Sequence, residues 1–324
     1  MTRYTSRRNF CQAVALAGIQ TATAAAAGRQ TDGTLKPGHA RPQAYRYCLN
    51  TSTIRGQNLS LPDQIRIAAQ AGYDAIEPWM RDIHRFIEQG GKLQDLRRMI
   101  DDAGLEICSA IGFSSWIAPD PEQRAQGLNS AERDLEVLSA LGAKRLAAPP
   151  VGATDRSDIP LGAIVERYGR LLELSDRFGV VPQLELWGFS RTLSRLGEVA
   201  YVVAETAHPK ACALLDVYHI YKGGSDFAGL RLFSPAVLQV LHMNDYPADP
   251  PRAQINDSHR VYPGDGVAPL KQILRWMAEG GCFPVLSLEL FNAEYWKHDA
   301  LHVARTGLQK MQRVVEQAWQ TAND

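Results

Sequence analysis

From Tyr45 onward, short apolar runs alternate with longer stretches in which apolar residues recur every three or four positions. The first pattern reads as buried strand and the second as amphipathic helix. Eight runs qualify as strands: 45–49, 74–78, 106–112, 145–149, 181–186, 212–216, 238–243 and 284–290. Helical periodicity occupies 61–71, 92–103, 130–141, 160–178, 193–206 and 267–279 between them. In the fourth of these helices Ile164, Val165, Tyr168, Leu171, Leu172 and Leu174 share one face. Gly72, Gly104, Gly142 and Gly179 each follow a helix by one step, where the chain must turn toward the next strand.

Eight strands alternating with helices predict a single (β/α)8 TIM barrel over residues 45–320. The alternative, an open doubly wound sheet, would carry Gly-x-Gly-x-x-Gly after its first strand, and this chain has none there. The stretch 245–265, DYPADPPRAQINDSHRVYPGD, is too polar for a regular element. A loop of that length in a compact domain covers a site.

Four of the later strands end in a charge or an imidazole: Glu185, Asp216, His242 and Glu289. A charge at the exit of a buried strand is costly unless something pairs with it. The spacings of 31, 26 and 47 residues assign the four to consecutive strands, the last interval lengthened by the 245–265 insert. In a barrel those ends open onto one mouth. Three converging carboxylates require a cation, and two Glu, one Asp and one His suit Mn²⁺ first, with Mg²⁺, Co²⁺ or Zn²⁺ as alternatives.

Charge narrows the partners. Lys+Arg and Asp+Glu both number 35 in the 324 residues, so no net field draws the chain to nucleic acid or an anionic membrane. No apolar stretch approaches the roughly 20 residues that span a bilayer. The N-terminus reads differently: Ser6-Arg7-Arg8-Asn9-Phe10, an apolar stretch and then Ala24 to Ala27 have the order of a twin-arginine export signal over 1–27. That reading makes the twin-arginine machinery a partner and the periplasm the destination, with 28–44 as a linker. Cys48, Cys108, Cys212 and Cys282 lie in or beside apolar runs without a Cys-x-x-Cys, which predicts buried thiols.

Leu184-Glu185, Asp216-Val217-Tyr218-His219, His242-Met243-Asn244-Asp245, Pro263-Gly264-Asp265-Gly266 and Leu288-Glu289-Leu290-Phe291 together resemble the sugar isomerase/epimerase superfamily of xylose-isomerase-like barrels. The resemblance covers 45–315 and includes ketose 3-epimerases, hydroxypyruvate isomerases, inosose dehydratases and 3-dehydroshikimate dehydratases. It implies that Glu185, Asp216, His242 and Glu289 hold one divalent metal. It also implies that Glu185 and Glu289 move protons on opposite faces of the substrate through a metal-stabilised enediolate. His219 and Arg260 are implied substrate contacts, and pairing into dimers or tetramers is common in the group.

Among other residues at the expected mouth, Glu77 is placed to bind a sugar hydroxyl, and Trp116 and Trp187 to stack on a sugar ring. Asn50, Trp79 and Lys222 fall at the same end, and Lys222 reads as a solvated loop charge. Two positions depart from the ketose 3-epimerase pattern: Arg191 stands where a glutamate is usual, and Asn244 where many relatives have lysine. Both alter the charge beside the substrate, and the exchange of an acid for the Arg191 guanidinium favours an anionic or carboxylated one. The expected activity is that of a metal-dependent isomerase or epimerase of a sugar or cyclic polyol ketone. A dehydratase on the same scaffold is the alternative, followed by a non-catalytic sugar binder. A related nuclease would need more histidines and a basic face.

Overall fold

The computed structural model describes residues 45–320. The expected export signal, 1–27, and linker, 28–44, lie outside them. The strands are β1 (Tyr47–Asn50), β2 (Ala75–Glu77), β3 (Glu106–Ile107), β4 (Arg145–Ala148), β5 (Val181–Glu185), β6 (Ala213–Asp216), β7 (Leu238–Met243) and β8 (Val285–Leu288). The helices are α1 (Leu61–Ala71), α2 (Met80–Glu88), α3 (Leu93–Asp102), α4 (Pro121–Leu141), α5 (Leu161–Ser175), α6 (Leu196–Glu205), α7 (Val217–Gly223), α8 (Leu270–Glu279) and α9 (Ala300–Trp319).

The strands form one parallel sheet in the order β3-β2-β1-β8-β7-β6-β5-β4. Three backbone bonds bring its two ends together. Lys144 N donates to Ile107 O (3.3 Å), Ala110 N to Arg145 O (3.1 Å) and Ala147 N to Ala110 O (2.8 Å). The third strand is shorter than the expected 106–112 because beyond Ile107 its bonds are divided. Ala110 turns to β4, whereas Ile111 N donates to Pro78 O (2.9 Å).

Local signals fix the helix ends. Ser60 accepts from Asp63 N at the start of α1, with Pro62 in the first turn, and Gly72 at φ 97° ends the helix. Asp120 and Gly142 bracket α4 in the same way. The short α7 has Asp216 itself as its cap, the carboxylate accepting from His219 N (2.9 Å). The helices α2, α7 and α9 lie outside the stretches read as helical from periodicity. In α2 only Met80 and Ile83 are buried, too few to make a recognisable stripe.

Apolar side chains divide between two layers. The larger cluster packs the outer face of the sheet against the helices, with α9 contributing Val303, Leu308, Met311, Val314 and Val315. Each fully buried large side chain of this kind stabilises the fold by about 1.5–3 kcal/mol. The smaller cluster fills the barrel interior with Cys48, Ala75, Cys108, Ala147, Leu214 and Val240. All four described cysteines are free and buried. No helix among the described residues is long and apolar enough to cross a membrane.

The insert 245–265 is pinned rather than loose. Asp245 accepts from the backbone N–H of Tyr246 (2.8 Å), Gly264 (3.0 Å), Gly266 (3.1 Å) and Ala268 (2.9 Å). A Cβ at Gly266 would lie 2.2 Å from Tyr246 O, so only glycine lets the loop close on this anchor.

Candidate active site and metal centre

The alternation of side chains along a strand places the site. Cys48 and Ala75 point into the barrel, so Asn50 and Glu77, two residues on, do too. By the same period Leu214 leads to Asp216, and Val240 to His242. Beyond β8, Glu289 continues the inward series of Val285 and Ser287. Apolar residues thus fill the barrel's floor, and polar ones crown the floor at the mouth.

Asp216, His242 and Glu289 come together, one donor atom from each lying within 4.8 Å of the others, and all three residues are buried. His242 Nδ1 lies 3.1 Å from Glu289 Oε2 and 3.6 Å from Asp216 Oδ2. Neither contact has hydrogen-bond alignment, so this buried nitrogen is unpartnered. Its other nitrogen, Nε2, is 3.0 Å from Glu77 Oε2. Glu77 also accepts from Ser287 Oγ (2.7 Å) and Asn50 Nδ2 (2.9 Å). A carboxylate behind a histidine fixes the ring and aims its far nitrogen at a metal. Glu77, expected to bind a sugar hydroxyl, is instead fully enclosed in this supporting role.

Glu185 falls outside the three-residue cluster, although four ligands were expected. It pairs with Leu214, one inward step below Asp216, which sets it lower on the barrel wall. It is buried, and its Oε2 has no partner. Burial, followed by the negative charge of Glu289, pushes its carboxyl up to about 8, against an opposing pull from His242. Near neutral pH Glu185 therefore retains its proton.

Arg260 is the cation present among these acids. Its Nη1 donates to Asp216 Oδ2 (2.7 Å) and to Glu289 Oε2 (2.8 Å). Its Nη2 donates to His219 Nε2 (3.0 Å), and its Nε to Asp257 Oδ1 (3.1 Å). The guanidinium stacks between Tyr218 (4.6 Å) and Phe291 (5.0 Å) and is 1% exposed. Burial raises the Asp216 carboxyl, but Arg260, His219 and His242 together outweigh this and hold it well below the usual range. Burial likewise disfavours the His242 imidazolium, and Glu289 and Glu77 override that, holding it well above an ordinary histidine. His219 moves the other way, lowered by burial and then by Arg260. Because His219 Nε2 accepts from Arg260, its proton sits on Nδ1, which has no acceptor.

Asn244 holds the cluster from below, donating to Asp216 Oδ2 (3.0 Å) and accepting from Tyr218 N (2.9 Å). Above it opens a cavity of about 440 Å³. Glu185, His219, Arg260 and Glu289 line its inner end, and Trp79 and Trp187 its walls. Trp116, expected to stack on substrate, is not at this surface. It is wholly buried and donates to Pro149 O (2.9 Å) beside Tyr168, because the segment before α4 folds back under the rim. Lys222 is tied to the carbonyls of Arg252, Ala253 and Ile255 at 2.7–3.1 Å, so it clamps the insert rather than standing in solvent. Arg191 is exposed and does not line the cavity. The sequence reading missed Asp257 and Arg55, both of which do. They lie in loops, where no period marks a side chain's direction. The polar insert over a site was the only available signal for Asp257.

Two unpartnered buried atoms, His242 Nδ1 and Glu185 Oε2, lie beside carboxylates that a cation must compensate. Such a donor set fits a divalent metal. An inosose isomerase from Bacillus velezensis is 25% identical over 276 residues, covering 83% of this chain and 97% of that protein. A 3-dehydroshikimate dehydratase from Pseudomonas putida is 24% identical over 260 residues, which is 80% of this chain but 40% of the other. Among solved structures, the IolI protein with a bound zinc atom superposes with a TM-score of 0.78 at 22% identity, covering 85% of this chain and all of that one. The family profile described as xylose isomerase-like TIM barrel matches residues 65–314, and the chain belongs to that family.

Proposed function

We propose that this protein is a divalent-metal-dependent isomerase or epimerase of a sugar or cyclic polyol ketone. The observation that carries the reading is a pair of buried carboxyls, Glu185 and Glu289, at the inner end of one cavity, set beside the Asp216–His242–Glu289 cluster. The inosose isomerase relatives support the substrate class. A divalent ion held by Asp216, His242 and Glu289, with Glu185 turned in as a fourth ligand, would supply charge that acidifies the C–H beside a carbonyl. Glu289 is suited to accept that proton, and Glu185 to return one from solvent through the oxygen not turned to the ion. His219 Nδ1–H is free to hold a substrate oxygen, whereas the implied contact Arg260 spends its donors on Asp216, Glu289, His219 and Asp257, and the aromatic walls pack on C–H faces. The zinc of the superposed structure makes zinc a candidate beside manganese.

A dehydratase is the second reading. Glu185 could instead pass a proton from solvent to a departing hydroxyl, and the dehydratase relatives point the same way. We further propose that residues 1–27 direct twin-arginine export, which Arg7→Lys with Arg8→Lys would abolish in a fractionation assay.

Proton–deuterium exchange tests the activity. Metal-loaded protein in D₂O with sugars, inositol ketones and dehydroshikimate is expected to exchange one substrate C–H. Exchange with loss of water selects the dehydratase. Glu289→Gln is expected to slow exchange about 10²–10⁴-fold while ligand still binds. Unchanged exchange in that variant, or none in the unmutated protein with any metal, sinks the proposal.

A further inference from the structure

The outer end of the cavity holds a second guanidinium, and nothing among the described residues neutralises it. Arg55 follows β1 in a short turn of 3₁₀ helix, Thr51–Gln57, capped by Asn50. Its guanidinium carbon lies 5.4 Å from the ring centre of Trp79, 5.3 Å from that of Phe291 and 5.4 Å from that of Trp296. Three aromatic faces hold the group in place while leaving its N–H groups free. Arg55 makes no ion pair, and its side chain donates no hydrogen bond, among the described residues.

The charged groups that face it are otherwise engaged or repel it. Arg81 covers Trp79 from 4.5 Å, and with burial it disfavours the Arg55 charge. Asp82 is shared by Arg81 (3.6 Å) and Arg85 (3.3 Å), and Glu289 is held by Arg260 (2.8 Å). A half-buried arginine without a counter-ion is costly, and a guanidinium's fork of donors matches a carboxylate or phosphate. A second unpartnered donor belongs to the same wall, since Trp296 Nε1 is buried without an acceptor.

The geometry also sets the reach. Arg55 and Arg260 flank one ring, Phe291, at 5.3 and 5.0 Å from its centre. They are therefore no more than about 10 Å apart, and Arg260 touches Glu289. One six-membered ring with its reacting carbon at Glu289 brings a ring substituent to Arg55.

We propose that Arg55 receives an anionic substituent of the substrate, a carboxylate or a phosphate, so that the enzyme acts on an acidic polyol ketone rather than on a neutral sugar. This deepens the proposed function and rests on it for the position of the reacting end. Arg55 is a specificity residue here, and Arg191, the sequence's candidate for that role, is not.

Tryptophan-fluorescence titration of the full-length, Mn²⁺-loaded protein tests it with three ring probes: quinate, myo-inositol 1-phosphate and neutral myo-inositol. At least one anion is expected to bind about tenfold or more tightly than myo-inositol. Preference for quinate identifies a carboxylate, and preference for the phosphate ester a phosphate. Arg55→Gln is expected to erase the preference for the anion over myo-inositol, and Arg55→Lys to keep part of it. Added salt should weaken anion binding to the unmutated protein and leave myo-inositol unaffected, a readout that needs no folded variant. Equal affinity for all three probes, or a preference that survives Arg55→Gln, overturns the proposal. Deuterium exchange separates the two claims. Exchange on neutral ketones without anion preference removes the Arg55 site and leaves the chemistry. Anion preference without exchange does the reverse.

Discussion

At the scale of single residues, the site is poised by opposing pulls on a few protons. His242 carries one because Glu77 and Glu289 face it, and Glu185 keeps one because it is buried near other acids. A metal ligand must give up its proton, so metal binding and proton release are linked. Adding Mn²⁺ to metal-free protein at pH 7 in weak buffer is expected to release about one to two protons, read with a pH indicator. Glu185→Gln should release fewer. No pH change on binding would show that these groups are not the ligands. Arg260 is the other lever. Arg260→Ala leaves Asp216 and Glu289 buried without their cation and is expected to cost about 3–5 kcal/mol of metal-free stability in urea unfolding. The same variant should bind Mn²⁺ more tightly, because the ion no longer shares those oxygens with a guanidinium. Weaker metal binding would count against the shared position.

At the scale of elements, a helix remote from the chemistry supports the last site residue. Gly307 of α9 lies against Leu288, the residue before Glu289, and a Cβ there would fall 2.1 Å from Leu288 Cδ2. Gly307→Ala gains helix propensity but overpacks this contact, and a net loss of about 1–3 kcal/mol is expected in thermal unfolding. Activity should fall with it as Glu289 shifts, and a stabilised, fully active variant would refute the argument. The elements also show what the sequence can carry. Glu185, Asp216, His242 and Glu289 stood out because each ends an apolar strand of known period. Glu77 has the same signature, yet the sequence could not say that its partner is His242, 165 residues away. Trp116 misled because an aromatic after a short strand looks the same whether it faces the mouth or the core. Arg55, in a turn without period, gave no signal at all.

At the scale of the molecule, the buried charges give the metal-free protein a pH profile. Asp216 and Glu77 are held below their usual range, so their contribution is present above ordinary carboxylate values and is lost as pH falls through their folded ones. Glu185 is raised, so its contribution is complete below its ordinary value of 4.5 and is lost as pH rises through about 8. His242, also raised, acts in the same sense above 6.5. Metal-free protein should therefore lose thermal stability between about pH 4.5 and 8, most steeply above 6.5 where His242 adds to it, and Glu185→Gln should flatten that decline. A stability that rises over this window would show that Glu185 is ionised in the folded state. The barrel itself was legible throughout, because eight strands alternating with helices leave few other ways to bury so many apolar runs. Its mouth was only half legible, since loops build the outer part.

One feature of the barrel's floor bears on how the chain can be handled. Tyr45, the first described residue, packs edge-on against Phe283 (5.3 Å) and tilts against Trp319 near the end of α9 (5.9 Å). The strand it leads into reaches the mouth only at Asn50. Both ends of the folded unit are thus gathered on the side away from the cavity. An attachment made beside Tyr45 or Trp319 therefore meets the folded unit at its base and leaves the opening above clear for small molecules.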